Sequence, residues 1–444
     1  MITEQQATGT NSDPPFDVAV IGAGIIGLQV AIGLASRDVP VTVYEQAFEL
    51  KEIGAGLGLP SHVVECMNVI DSRIPKSFLT IATKSKDMVY IDGFSHDDIG
   101  QRPKERLFDM ELLKRDGCDI FTCHRAQFLS ELVSLCPSEQ IKLGKRLVSI
   151  SPGAEKRYLI RFSDDTSAEA DAVIGCDGVK SRVRQIVVGE DNPAAFAHYA
   201  NESVYRGLLD MKQAAAALGA ASETPIVYLG QGANIVTYPV AGDRYLNFAG
   251  FVRDSAGWHN SNKLTAPGSK KDVLKAFSEF GPSVKTLIEL LPDELNRWAL
   301  FDTFDHPVST YAYDGIVLAG DAAHASTPHF GIGAGMGVED ALVLVTLLER
   351  AGEEVTTKHG EISKHSALAA AFKSYDSVRR GRSRWVVENS RRQGEVFKWL
   401  NHEVGRDHER FIKDTQDRMD KIVLYEWRGM ILQAKREFDR YLYA

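Results

Sequence analysis

The stretch Phe16–Gln46, FDVAVIGAGIIGLQVAIGLASRDVPVTVYEQ, reads as strand, glycine turn, helix and second strand, closed by an acid at Glu45. Val18–Ile21 are β-compatible and run into Gly22-Ala23-Gly24-Ile25-Ile26-Gly27; Leu28–Ser36 suits a helix and Val41–Tyr44 a second strand. Each glycine of such a turn has its own task. Gly22 permits the tight bend, Gly24 lets backbone approach a pyrophosphate, and Gly27 lets helix and strand pack closely. The helix start offers free N–H groups and a positive dipole end to phosphate. Glu45 falls about 20 residues on, where a carboxylate can accept both ribose hydroxyl hydrogens. The combination predicts a dinucleotide site and leaves FAD and NAD both open.

Working outward, the chain of 444 residues has room for two or three domains, and its 44% hydrophobic and 25% charged residues are ordinary for a soluble protein. A net charge of −9 argues against nucleic acid or an anionic membrane as main partner. The cysteines Cys66, Cys118, Cys123, Cys136 and Cys176 fit reduced thiols of a cytoplasmic protein better than a disulfide frame. Cys118, Cys123, His124 and Cys136 lack the paired short loops of a structural zinc site, so no metal is expected. Residues 1–15 read as a disordered lead-in rather than a secretory signal. The apolar run Ala19–Ala35 approaches membrane length, but Gln29 and its glycines make strand-turn-helix the better reading.

After the second strand, Glu49–Pro60 (ELKEIGAGLGLP) is a glycine-rich loop expected near the dinucleotide, and His62–Ile70 is helical in pattern. Residues 87–112 read as a hairpin-like excursion. TCHRAQFLSELVSLC shows a helical stripe with Arg125 in its first turn. Residues 145–178 predict a β-meander and then a buried strand, Ala172–Cys176, ending in Asp177-Gly178; Arg182 and Arg184 just beyond suit a phosphate-bearing ligand. Ser203–Leu209, Pro225–Leu229, Asn234–Val240 and Tyr245–Val252 alternate as strands, with helix near Lys270–Leu291, which predicts an inserted, mostly antiparallel sheet. A last buried strand ends in Gly320-Asp321. It is followed by a loop with Pro328, His329, Phe330, Gly331, Gly333, Ala334, Gly335 and Gly337 before a helix expected over Val338–Arg350. The amphipathic stretch from Ala367 onward reads as a packing or dimer face.

Three glycine/acid clusters in this order, at 22–45, 177–178 and 320–337, resemble the single-component FAD-dependent aromatic hydroxylases, the group of p-hydroxybenzoate and salicylate hydroxylases. The resemblance spans roughly residues 16–390. It implies an α/β fold: a Rossmann-like, glutathione-reductase-like FAD-binding domain (16–85, 106–200 and 305–355), an inserted mixed, mostly antiparallel β-sheet substrate domain (86–105 and 201–304) and a C-terminal helical region (356–444). It further implies that Gly22, Gly24, Gly27 and Glu45 bind the ADP part of non-covalent FAD, with Lys51 and Gly56 beside it. Arg125 matches the family's cofactor-contacting arginine, Asp177-Gly178 its motif for FAD and NAD(P)H, and Gly320-Asp321 its ribityl motif. The loop through Gly331, Gly333, Ala334 and Gly335 would lie against the flavin ring, with Pro328, His329 and Phe330 on the substrate side. Tyr375, Arg379 and Ser383 fall in the family's late helix. Two positions depart from many relatives: Lys51 stands where they carry arginine, and Ser61 where they carry asparagine, with His62 beside it as a loop or substrate-side histidine.

Ser203-Val-Tyr205-Arg206 and Tyr238-Pro239 resemble a narrower pattern, that of the fungal oxidatively dearomatising monooxygenases of tropolone, azaphilone and sorbicillin biosynthesis. There an arginine and a tyrosine hold a phenolate, which implies catalytic roles for Arg206 and Tyr238. The chemistry implied is NAD(P)H- and O2-dependent hydroxylation through a flavin C4a-hydroperoxide by a monomer or homodimer. The alternatives are a decarboxylating salicylate-type hydroxylase and a flavoprotein dehydrogenase that inserts no oxygen.

Overall fold

The computed structural model describes residues 15–50, 56–85, 88–94, 106–109 (backbone), 119–258, 263–358 and 360–444. Strands and helices are numbered in chain order. The apolar tetrapeptides VAVI and AVIG are buried at every position because both faces of their sheet are covered. They form β1 (Val18–Ile21) and β12 (Ala172–Gly175), the centre of a six-stranded sheet with β2 (Val41–Tyr44), β8 (Ile141–Lys142), β19 (Ala312–Tyr313) and β20 (Ile316–Leu318). The spatial order is β19-β20-β12-β1-β2-β8, and all neighbours are parallel except β19 and β20.

Helix α1 (Ile25–Ala35) follows β1, and α10 (Gly333–Thr357) packs across it: a β-carbon on Gly33 would lie 2.7 Å from Val345. Helix α10 begins five residues before the predicted Val338. Gly335 and Gly337 sit inside it because side chains there would meet Val63 and Ile26 at 3.0 and 2.4 Å. Helices α2 (Ser61–Ile70) and α3 (Arg73–Ile81) lie against a small sheet of β3 (Gly56–Pro60), β4 (Thr83–Lys84) and β7 (Ile120–His124), the last of which leads into α4 (Arg125–Leu135). The predicted meander is the antiparallel sheet of β9 (Leu147–Pro152), β10 (Tyr158–Phe162) and β11 (Ser167–Ala170).

An eight-stranded sheet contains β5 (Val89–Asp92), β6 (Arg106–Asp109), β13 (His198–Asp210), β14 (Ile226–Leu229), β15 (Ala233–Val240), β16 (Tyr245–Arg253), β17 (Thr265–Ser269) and β18 (Glu294–Asp302). Its order is β17-β18-β13-β16-β15-β14-β5-β6, antiparallel except between β14 and β5. Strand β6 pairs with β5 within the excursion expected over 87–112, and β13 begins at His198, ahead of the strand expected over Ser203–Leu209. One face, with Tyr205, Leu209, Ile235 and Phe248, is sealed under α6 (Met211–Leu218), α7 (Lys270–Ala276) and α8 (Pro282–Glu289). The other face carries Val204, Ala249 and Phe251.

The remaining helices are α5 (Arg182–Val188), α9 (Asp321–His324), α11 (Lys364–Phe397), α12 (His408–Val423) and α13 (Trp427–Leu442). No helix of the described residues is long and apolar enough to cross a membrane; the run Ala19–Ala35 divides into β1 and α1.

Candidate active site

Because β2, β1, β12 and β20 are parallel, their C-terminal ends share one edge of the sheet. Glu45, Gly22, Asp177 and Gly320 follow those ends in that spatial order. At about 4.8 Å per strand the row is about 14 Å long, the reach of an extended dinucleotide. Gly22 turns at φ +103°, and a β-carbon there would lie 2.5 Å from the Cys176 carbonyl oxygen. One on Gly27 would meet the Gly22 oxygen at 2.0 Å, whereas nothing lies within 4 Å of one on Gly24. Gly24 is also the N-cap of α1, with no side chain capping the helix. The Glu45 carboxylate accepts the N–H groups of Ala23 and Ala47, both at 2.8 Å, and keeps lone pairs for further donors.

Asp177 behaves differently. It accepts Ser181 Oγ at 2.5 Å and the N–H groups of Arg182 and Val183 at 2.6 and 3.0 Å, so its carboxylate is spent on the start of α5. Gly178, at φ +78°, is left to face outward with open space around it. Arg184 is buried, and its guanidinium donates to the carbonyls of Val179 (2.7 Å) and Ala322 (2.9 Å). Arg182 pairs with Glu190. The two arginines expected at a phosphate therefore brace turns instead.

Asp321 is exposed at the start of α9, launched by Gly320 at φ +59°. Its position depends on charges buried behind it. Asp340 Oδ2 accepts Gly320 N–H at 2.9 Å and faces His324 Nε2 at 2.6 Å, while Oδ1 accepts Arg379 Nε at 2.7 Å. Glu339 takes Arg379, Arg382 and His62 at 2.6, 2.7 and 3.3 Å. Burial works against both ionised carboxylates, but His324 with Arg379 for Asp340, and Arg379 with Arg382 for Glu339, hold them below their ordinary values. His62 is thus a buried network member rather than a loop or substrate residue. Tyr375 donates to the Leu318 carbonyl at 3.0 Å and Ser383 meets the Tyr311 hydroxyl at 2.7 Å, so α11 supports the β20 end throughout.

Gly331, at φ +66°, is exposed, and α10 then starts with no side-chain cap at Gly333, Ala334 and Gly335. Pro328 is exposed, His329 has its side chain buried, and Phe330 turns away to stack on Trp385 at 6.3 Å. Phe330 therefore packs its ring against α11.

On the open sheet face, Arg206 lies opposite Ala249 and Tyr238 opposite Asn247; Ala249 in turn pairs with Val236, which shares a face with Tyr238. Arg206, Val236, Tyr238 and Trp298 keep partial exposure in a face whose other apolar residues are buried, which marks a cleft. Arg206 Cζ sits 5.9 Å from the Trp298 ring centre, and its Nε is enclosed with no hydrogen-bond partner. Burial lowers the Arg206 guanidinium from its ordinary value; Tyr238 raises it and the nearby Arg125 cation lowers it further. Burial pushes the Tyr238 phenol up to about 12 against the opposing pull of Arg206. A β-carbon on Gly56 would lie 2.2 Å from the Tyr238 hydroxyl, so Gly56 seats this tyrosine. Lys51 lies outside the described residues.

Glu202, Lys398, Asp340, His324 and Glu339 were not singled out from the sequence as site residues. The VED tripeptide after the glycine loop was the available signal for the last carboxylates; the Glu202–Lys398 pair has no local signature, its members being 196 positions apart.

An acid-terminated βαβ edge, an uncapped helix at an open glycine and a second uncapped helix behind an exposed aspartate fit FAD and define a flavoprotein. A family described as FAD binding domain matches residues 15–389, and the chain belongs to it. The chain is 43% identical over 439 residues to the FAD-dependent monooxygenase pigN of Monascus ruber, covering 98% of this chain and 99% of that protein. It is 45% identical to azaH of Aspergillus niger over 408 residues (88% and 94%), and 34% to salicylate hydroxylase asL1 of Sarocladium schorii over 451 (98% and 93%). Among solved structures, a salicylate hydroxylase substrate complex superposes with a TM-score of 0.77 at 28% identity, covering 95% and 98% of the two chains. Klebsiella pneumoniae HpxO with FAD and uric acid shares the fold at a TM-score of 0.70 and 24% identity, over 94% and 97% of the chains. This protein is an FAD-dependent monooxygenase of the salicylate hydroxylase type.

Proposed function

We propose that the protein hydroxylates a phenolic aromatic bound as its phenolate, with NADPH or NADH as electron donor and O2 as oxygen donor. The observation that carries this reading is Arg206, a guanidinium with no carboxylate partner among the described residues and an enclosed Nε without an acceptor. A cation in that state favours an anionic ligand. Tyr238, with its phenol raised to about 12, stays a neutral donor at physiological pH. Together they stabilise a phenolate oxygen, whose charge is shared with the ortho carbon and makes it nucleophilic. FAD, when bound, supplies the redox chemistry between nicotinamide and O2. Glu45 would receive its ribose, the α1 start its pyrophosphate, Asp321 its ribityl chain and the α10 start its ring, with Gly178 at the same edge and Arg125 near Arg206.

Substrate C–H, NAD(P)H, a proton and O2 give C–OH, NAD(P)⁺ and water. Where the ortho carbon carries an alkyl group, the same addition leaves a non-aromatic hydroxydienone. The salicylate hydroxylase likeness favours a second reading, in which Arg206 takes a carboxylate that leaves as CO2. The buried thiols Cys66, Cys123 and Cys136 support a cytoplasmic location.

The test is a phenol screen for stimulated NAD(P)H consumption, run under ¹⁸O2 with mass analysis. One labelled oxygen in the product is expected. Its absence would sink the monooxygenation reading, and stoichiometric CO2 from salicylate would favour the second.

A further inference from the structure

A buried ion pair lies between the sheet cleft and the cofactor-side turn. Lys398 Nζ sits 2.5 Å from Glu202 Oε1 and 3.5 Å from His329 Nε2, and it donates to the Gly394 carbonyl at 3.0 Å. His329 Nε2 lies 3.1 Å from Glu202 Oε2. The Lys398, Glu202 and His329 side chains are 2%, 9% and 1% exposed. Retaining a sealed ion pair is costly, and an apolar pair would serve stability as well.

The surroundings make the three rigid. Glu202 sits inside a register break between Tyr199 and Ser203, directly after Asn201 at φ +54°, a bulge that re-aims the side chain after it. The His329 ring is wedged between Phe251, at 4.9 Å, and Gly394, where a β-carbon would lie 2.5 Å from Cδ2. The α11 end is bonded to the β14–β15 turn by Gly232 N–H on the Lys398 carbonyl at 2.9 Å. Glu202 and Arg206 share a face of β13, four residues or about 13 Å apart. One strand therefore carries the anion-binding guanidinium and, through Glu202, grips the turn that precedes Gly331 and the α10 start.

The geometry points to Glu202 and Lys398 as positioning residues that act through His329: they fix the Pro328–Phe330 turn relative to Arg206, and so the register of substrate against cofactor. This rests on the monooxygenase reading above. Its consequence concerns coupling, the share of oxidised NAD(P)H that ends as hydroxylated product rather than as hydrogen peroxide.

Glu202→Gln and Glu202→Gln/Lys398→Met separate positioning from stability, since the double variant removes the ion pair without leaving a lone buried charge. Product and peroxide per NAD(P)H, substrate and FAD dissociation constants and the thermal midpoint are measured on the flavin-loaded full chain. Both variants are expected to lose about tenfold in product per NAD(P)H, with both dissociation constants within about twofold. The double variant should regain the midpoint lost by the single one without regaining coupling. Unchanged coupling in the double variant, or coupling that returns with the midpoint, would overturn the inference, and the double variant alone decides if Glu202→Gln does not fold. Absence of substrate-stimulated consumption in the unaltered enzyme would overturn the monooxygenase reading and this inference together.

Discussion

The Asp340 carboxylate accepts the Gly320 backbone N–H at 2.9 Å and so sets the turn from which Asp321 projects. Arg379 holds the same carboxylate from α11 at 2.7 Å. Asp321 is thus aimed by groups buried behind it. Replacing Asp340 by Ala would strip Arg379 of one of its two buried carboxylate partners and leave the Gly320 N–H without its acceptor, at a cost of about 3–5 kcal/mol. Asp340→Asn keeps an acceptor for Gly320 and loses the charge. We predict that it folds but weakens FAD binding about tenfold, read by flavin fluorescence titration. An unaltered dissociation constant would remove Asp340 from cofactor positioning.

Asp321 itself is exposed, so Asp321→Ala should leave the thermal midpoint of the flavin-free protein nearly unchanged. Flavin content after gel filtration should fall. Full retention would refute the ribityl role.

Gly56 and Tyr238 give a steric prediction. An added methyl at Gly56 would come within 2.2–2.6 Å of the phenol's Oη, Cε2 and Cζ, so the ring must move. Gly56→Ala should cost about 1–3 kcal/mol and raise KM, with flavin content preserved. Loss of flavin with KM unchanged would return Gly56 to the cofactor side alone.

For Arg206, replacement by Ala should cripple turnover while FAD stays bound. Arg206→Lys keeps the charge without the planar fork and should recover only part of the activity. If Arg206→Ala lost flavin but kept turnover per bound flavin, the substrate assignment would fall.

Acid unfolding should expose Glu202. Burial raises its carboxyl, but His329 and Lys398 together outweigh that and hold it at about 2, below the ordinary 4.5. The unfolded chain then binds the proton more readily, so this contribution is complete above about pH 4.5 and disappears as pH falls toward 2. Burial lowers both neighbours, Lys398 from 10.5 and His329 from 6.5, and Glu202 opposes each shift. The stability gap between the parent and the Glu202→Gln/Lys398→Met variant should therefore change between pH 4.5 and 2; a constant gap would contradict the assignment.

Much of the cofactor edge was legible because its pieces are local. A strand, a glycine turn and an acid some 20 residues on are one βαβ unit, and GD followed by a glycine run marks the β20 turn. Alternation likewise marked β13, β15 and β16, whereas Arg206 and Tyr238 stood out on those strands only through the family resemblance. Tertiary pairing was not legible. Asp177 reads as a ligand, yet its carboxylate also binds Ser181 and two amides at the start of α5, and a free carboxylate and one so engaged read alike in a sequence. Arg184 looked like a phosphate contact and donates to buried carbonyls. Phe330 follows His329 in the chain, but the two rings part, one to Phe251 and the other to Trp385. The late helix looked like bland packing because nothing local shows that Arg379 faces Glu339 and Asp340.

The edge order Glu45, Gly22, Asp177, Gly320 does not follow the order of synthesis. A growing chain that has completed β1, α1 and β2 owns the adenosine end of the groove, but the strand beside β12 arrives only with residues 316–318 and the brace on Asp340 only with Arg379. Flavin should therefore be taken up late, after most of the polypeptide has been made. The yellow colour of a preparation would then report completed assembly, and fragments ending before α11 should emerge colourless.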